Sequence, residues 1–291
     1  MGRITTRRRV TRIRRDAPSS SRADVLAVEE PLEIRVNGMQ FAVTMRTPGN
    51  DVELAVGFLL SEGVIVRGDD VAVARYCAGT DADGANTYNV LDVTLAPDVP
   101  TPAPELARNV TTTSACGVCG KASIDNVTLR SEFDPGEDDL VVDTDLLLDL
   151  PDRLRAGQSV FDKTGGLHAA CLVDGHTGQI EALREDVGRH NAVDKVIGWA
   201  SAQGRIPLRG HILQVSGRAS FELVQKAAMA GIPMLSAVSA PSSLAADLAE
   251  ERGITLVGFV RGGSMVIYTR SDRIHHQPDA ATLASETARP H

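Results

Sequence analysis

The last third of the chain alternates short apolar runs with helical periodicity, and that rhythm constrains the fold more than any other feature. Ile212-Leu-Gln-Val reads as a strand, Ala219 to Ala230 as a helix, Pro233 to Val238 as a strand and Ser242 to Arg252 as a helix. Two more strands, Ile254 to Val260 and Met265 to Tyr268, complete the series. Strands joined through helices of that length need crossover connections, which imply a sheet covered on both faces. The second domain is therefore expected to be α/β. Upstream, Leu167 to Val173 and Gln179 to Arg184 read as a strand pair around Asp174-Gly175, and Val187 to Ala202 as a helix. Asp143 to Gln158 reads as a helix interrupted at Pro151.

The first ordered unit has a different pattern. Leu32, Ile34 and Val36 alternate, Asn37-Gly38 supplies the positive-φ residues of a tight turn, and Phe41, Val43 and Met45 alternate again. Val52 to Leu60 fits an amphipathic helix with Asn50 or Asp51 as its cap and Gly63 as its stop. Val71 to Tyr76 and Tyr88 to Leu95 read as further strands, and the prolines between Asp98 and Pro104 mark a boundary. The expected organisation is a disordered basic tail (1–24), a small α+β domain (25–108) and a mobile Cys-x-x-Cys loop region (109–140). An α/β domain (141–270) and a polar tail (271–291) follow.

Charge is unevenly placed. The chain has a net charge of −8, which argues against nucleic acid as the main partner. Residues 1–22 nevertheless hold eight arginines and one aspartate, ending in Pro18-Ser-Ser-Ser with few apolar residues. Such a tail is expected to be disordered, solvated or in weak contact with an anion. Its arginine pairs are not followed by the apolar stretch that an export signal needs. The longest uncharged run, Ala227 to Ala246, contains two prolines and four serines and does not read as a membrane span. Four cysteines make no disulfide scaffold, so reduced thiols in the cytoplasm are the expectation.

Chemistry concentrates at three places. Cys116-Gly117-Val118-Cys119 is flanked by glycines and a Thr-Thr-Thr-Ser run, an exposed setting in which Lys121 could lower a thiol pKa. A zinc half-site, a thioredoxin-like redox pair and a sulfur-handling thiol pair all remain open on spacing alone. Cys77 and Cys171 read as ordinary buried thiols. His168 follows Gly165-Gly166 at a strand start, and Glu185 to Lys195 packs Asp186, Arg189, His190 and Asp194 too densely for one solvated face. Ser216-Gly217-Arg218, Ser239 to Ser243 and Arg261 to Ser264 lie at strand ends, where free N–H groups, Arg218 and Arg261 suit a phosphate-bearing, nucleotide-like ligand. Neither a Walker motif nor a G-x-G-x-x-G is present, which disfavours an ordinary ATPase or dehydrogenase.

From about Glu30 to Thr269 these blocks resemble the FdhD/NarQ family of formate dehydrogenase accessory sulfurtransferases. The likeness rests on Pro31-Leu-Glu-Ile-Arg-Val-Asn-Gly, Thr47-Pro-Gly-Asn-Asp-Val-Glu-Leu, Ser114-Ala-Cys-Gly-Val-Cys-Gly and Thr164-Gly-Gly-Leu-His. It continues through Glu185-Asp-Val-Gly-Arg-His-Asn-Ala-Val-Asp-Lys, Ser216-Gly-Arg-Ala-Ser and Gly258-Phe-Val-Arg-Gly-Gly. The resemblance implies a cytidine deaminase-like three-layer α/β/α domain preceded by a smaller α+β domain. It also implies a homodimer that moves sulfur from a cysteine desulfurase to the molybdenum cofactor of formate dehydrogenase. Cys116 would carry the persulfide and Cys119 assist or resolve. Phe259, Val260, Arg261, Gly262, Gly263 and Ser264, with His168, Arg189, Ser216 and Arg218, would bind the bis-molybdopterin guanine dinucleotide form of that cofactor. A zinc deaminase is the rival on that scaffold. It needs a Glu where Ala170 stands and a Pro-Cys-x-x-Cys where Pro241-Ser242-Ser243-Leu244-Ala245 stands, so no zinc is expected. Two further functions stay open, a non-catalytic cofactor chaperone and a general thiol-disulfide oxidoreductase. Neither nucleic acid nor membrane is an expected partner.

Overall fold

The structure, a computed structural model, describes residues 4–77, 88–102, 111–112 and 131–276. The strands of the first half are β1 (Thr5–Arg14), β2 (Ala17–Ala27), β3 (Glu30–Val36), β4 (Met39–Arg46), β5 (Val71–Tyr76), β6 (Val90–Leu95) and β7 (Thr111–Thr112). Those of the second are β8 (Val142–Asp143), β9 (His168–Asp174), β10 (Ile180–Asp186), β11 (His211–Val215), β12 (Met234–Ala237), β13 (Thr255–Arg261), β14 (Ser264–Thr269) and β15 (Ile274–His275). The helices are α1 (Asp51–Ser61), α2 (Thr144–Gly157), α3 (Phe161–Thr164), α4 (Arg189–Ala202), α5 (Phe221–Met229) and α6 (Ser243–Glu251).

The alternating runs of the first unit form a five-stranded sheet in the order β5-β6-β3-β4-β7. Asn37 and Gly38 turn β3 into β4 at φ 51° and 80°, as a tight hairpin requires. α1 starts behind Asn50, but that side chain makes no cap hydrogen bond. Asp51 is drawn inward instead, where its carboxylate accepts from the buried Arg46 guanidinium at 3.1 and 3.0 Å.

The later strands form a six-stranded sheet in the order β10-β9-β11-β12-β13-β14. β9 runs antiparallel to both β10 and β11, while β11, β12 and β13 are parallel and β14 returns antiparallel. α5 and α6 supply the crossovers that the sequence rhythm demands. α2 covers one face through Leu147, Leu150 and Leu154, which pack with Ala169, Cys171, Ile212, Met234 and Val257. The expected interruption at Pro151 does not occur, and α2 runs through it. One backbone hydrogen bond is forgone there, and the three buried leucines on either side of the proline hold the helix down.

The opposite face shares one core with the first sheet, from Leu32 and Leu54 through Val196 to Leu256. α1 and α4 cross where Gly57 faces Gly198. A Cβ on Gly57 would meet the Asp194 carbonyl oxygen, and one on Gly198 the Glu53 carbonyl oxygen. The two backbones approach this closely only because both residues are glycine.

The start of the chain corrects an expectation. The region read as a disordered tail forms an antiparallel hairpin, β1 with β2, in register from Thr5 opposite Ala27 to Arg12 opposite Ser20, with the register shifting before Arg14 pairs with Ala17. None of its residues is buried, so backbone pairing and not burial defines it. Composition weighs apolar area alone and overlooks a ladder built on Thr5, Thr6, Val10, Thr11 and Ile13. No described helix is long and apolar enough to cross a membrane.

Candidate functional site

A cavity of about 620 Å³ opens at the carboxyl ends of β11, β12 and β13, where open α/β sheets receive ligands. Ser216, Val238 and Arg261, each at the end of one of those strands, line it together with His168. α2 and α3 form the facing wall through Pro151, Arg155, Gln158 and Phe161.

Ser216 prolongs the β9–β11 ladder: its N–H donates to the Ala169 carbonyl at 3.0 Å, and its hydroxyl oxygen accepts from the Ala169 N–H at 2.9 Å. That arrangement leaves the hydroxyl proton for another acceptor. His168 stands beside it. Burial, reinforced by the positive neighbours Arg189 and His190 and opposed by Asp186, holds the His168 pKa below the ordinary histidine value. The ring is therefore neutral at pH 7, with one nitrogen to donate and one to accept. Gly217 keeps the space between His168 and Arg189 open, since an added Cβ would lie 3.5 Å from His168 Nδ1 and 3.9 Å from Arg189 Cδ. His190 pairs with Glu222 at 2.7 Å. Burial works against ionisation of Glu222, but the His190 hydrogen bond and surrounding positive charge outweigh it and hold the carboxyl below its usual range.

The rim comes from the β13–β14 hairpin. Gly262 and Gly263 turn at φ 58° and 72°, and the Ser264 hydroxyl closes the turn on the Arg261 carbonyl at 3.2 Å. Phe259 adopts φ 54°, unusual for an aromatic residue, with its N–H donating to the Ser239 carbonyl at 3.2 Å. The Arg261 guanidinium lies 5.6 Å from the Phe259 ring. Arg261, Gly262 and Gly263 thus reach the cavity, and Phe259 and Ser264 brace them. Val260 points into the core under α2 and is fully buried. Arg218 is exposed and, like Arg189, lies outside the lining.

Much of the Glu185–Lys195 motif proves to be a clamp. Glu185 accepts from the Val160 and Phe161 N–H groups at 2.9 and 2.7 Å, fixing the start of α3. Asp186 is fully buried and accepts from Thr47 N–H (3.1 Å), Gly188 N–H (2.8 Å) and Asn191 Nδ2 (3.0 Å), and pairs with Lys195 Nζ at 2.7 Å. Lys195 also donates to the Thr47 carbonyl at 2.9 Å, which ties the loop after β4 to α4. Asp194 pairs with Lys226 at 2.7 Å and accepts from Ser61 at 2.9 Å.

Cys116, Cys119 and Lys121 lie outside the described residues. Burial pushes the Cys171 thiol up to about 12, which leaves it unreactive. Cys77 is half-buried, where the sequence suggested a buried thiol. The α2–α3 wall of the cavity was not expected from the sequence. Arg155 lies 4.7 Å over the Phe161 ring and pairs with Asp162 at 2.6 Å, placing a second guanidinium across the cavity from Arg261. An arginine and an aromatic six residues apart around the helix end at Gly157 were the available signal.

Fold and cavity together define an α/β protein with a mixed sheet and a cationic pocket at its strand ends. The chain belongs to the FdhD/NarQ family, whose model matches residues 27–275. It is 58% identical over 275 residues to the sulfur carrier protein FdhD of Streptomyces coelicolor, covering 94% of this chain and 97% of that one. It is 59% identical over 271 residues to the protein of the same name from Mycolicibacterium paratuberculosis, covering 93% and 99%. A crystal structure from Desulfotalea psychrophila, put forward as a formate dehydrogenase accessory protein, superposes with a TM-score of 0.70. At 22% identity, over 94% of this chain and 100% of that one, it shows the fold alone.

Proposed function

We propose that this chain is a sulfurtransferase that activates formate dehydrogenase, accepting sulfur from a cysteine desulfurase and delivering it to the bis-molybdopterin guanine dinucleotide form of the molybdenum cofactor. The observation that carries the reading is near-full-length similarity to proteins named sulfur carrier protein FdhD, in a chain that holds the Cys116/Cys119 pair. The Cys116 thiolate attacks the outer sulfur of the donor persulfide, whose own cysteine leaves as a thiolate. Cys119 then attacks the inner sulfur. The outer sulfur departs as hydrosulfide with the bonding pair, and a Cys116–Cys119 disulfide remains for a dithiol to reduce.

The cofactor is the cargo, and the cavity suits one part of it. Its volume lies within the ~300–1,000 Å³ of a single small-ligand site, too small for the whole doubled cofactor. One guanine nucleotide arm therefore enters, with Arg155 and Arg261 on its phosphates and Ser216 and neutral His168 on its polar edge. Arg189 and Arg218 add positive charge outside the lining, and Phe259, Val260, Gly262, Gly263 and Ser264 shape the rim. A deaminase-like layering fits the β10-β9-β11-β12-β13 order with helices on both faces. In that scheme Ala170 replaces the proton shuttle and Ser242 and Ala245 replace the metal thiols, so the site takes no zinc. A cytoplasmic homodimer completes the reading. Cys116→Ala should fold normally and leave formate dehydrogenase inactive in a strain lacking the native protein; full activity would end the proposal.

A further inference from the structure

The β1–β2 hairpin is an arm built to grip something acidic. Between Thr5 and Ala27 it carries seven arginines against two aspartates, and the chain as a whole is at −8, so everything else carries −13. All seven arginines are exposed. Arg22 pairs with Asp24, whereas Arg7, Arg8, Arg9, Arg12, Arg14 and Arg15 meet no carboxylate among the described residues. The main packing partner of the arm is α3, beside β2 at its root. A two-stranded hairpin without a covered face is marginal alone in water, so an arm like this calls for a docking surface. It precedes nearly all of the segment that the family model matches, which starts at residue 27.

The chain itself presents the complementary surface. On α2, Asp145, Asp149 and Asp152 recur at i, i+4 and i+7, all exposed and none in an ion pair among the described residues. They form one stripe of ~10 Å at 1.5 Å per residue. On one face of β1, Arg8 and Arg12 span ~14 Å at 3.4 Å per residue, enough to cover the stripe, and Arg14 follows beyond the register shift. The arm packs on α3, immediately after α2, and none of its residues is buried. A two-fold axis beside that contact would lay each arm on the α2 of the other copy, a reciprocal contact of the kind that closes a dimer.

We infer that the arginine hairpin docks on the Asp145–Asp149–Asp152 stripe of a second copy of this chain. The choice of occupant rests on the homodimer reading above. Because Asp152, at the end of the stripe, also lines the cavity, the docked arm of one copy reaches the rim of the ligand pocket of the other.

Charge reversal tests this on the full chain by sedimentation in low salt, with far-UV circular dichroism as a check on folding. The wild type should sediment as a dimer that weakens as salt rises. Arg8→Glu/Arg12→Glu/Arg14→Glu and, separately, Asp145→Lys/Asp149→Lys should each weaken self-association at least tenfold. An equimolar mixture of the two variants should regain dimer mass, because each arm then meets an opposite charge. A monomeric wild type would overturn both this inference and the homodimer reading. Reversed variants that stay dimeric, or a mixture that stays monomeric while the wild type dimerises, would overturn the arm alone. A dimer unaffected by arm reversal, with binding to single-stranded DNA lost, would assign the arm to polyanions and equally overturn it.

Discussion

Replacing Asp186 by asparagine should destabilise the protein far more than its isosteric shape suggests. The carboxylate is fully buried, takes three hydrogen bonds of 2.8–3.1 Å and lies 2.7 Å from the Lys195 ammonium, itself only 2% exposed. Asparagine keeps one acceptor oxygen but turns an NH2 toward groups that also donate. Lys195 is left with the Thr47 carbonyl as its remaining acceptor. Removing one partner of a buried ion pair costs ~3–5 kcal/mol, and about 4 is expected here. Against a typical stability of ~5–15 kcal/mol, that is a large drop in the urea midpoint. Lys195→Met should also destabilise, and the double variant should recover at least ~1 kcal/mol relative to the sum of the two, since the orphaned charge is gone. A cost below ~1 kcal/mol for Asp186→Asn, or strict additivity in the double variant, would refute the clamp.

Gly57→Ala and Gly198→Ala should reverse the usual ~1 kcal/mol gain of alanine in a helix and cost ~1–3 kcal/mol by urea denaturation, because the Cβ meets the facing backbone. His168 has a pKa below 6.5 in the folded chain, whereas the unfolded chain takes up its proton near 6.5. Its contribution to stability is thus present above that value and lost as pH falls through the folded pKa. His168→Gln should flatten the urea midpoint over that acidic window, and an unchanged slope would contradict the assignment. Arg155→Ala and Arg261→Ala should each weaken binding of guanosine diphosphate about tenfold by calorimetry, with the larger salt dependence in the wild type.

The parallel strands and their crossovers were legible in the sequence because βαβ periodicity is local, and so was the Asn37-Gly38 turn. The pocket was half legible: the strand-end loops pointed to Ser216 and Arg261, but Arg155 and Phe161 reach it only through the packing of α2 and α3. The Glu185–Lys195 motif looked functional because its charges are dense. Burial shows that Asp186, Asp194 and Lys195 instead serve the joint between the two sheets. The N-terminal hairpin was illegible for the opposite reason, since nothing in it is buried and its order lies in backbone pairing.

Sulfur transfer requires that Cys116 hold a transferable sulfur. The direct measurement is the intact mass of the protein after incubation with a cysteine desulfurase and cysteine, with peptide mapping to place any added sulfur. A gain of one sulfur on Cys116 is expected, removed by dithiol and absent from Cys116→Ala. An unchanged mass under conditions where the desulfurase itself becomes persulfidated would contradict it.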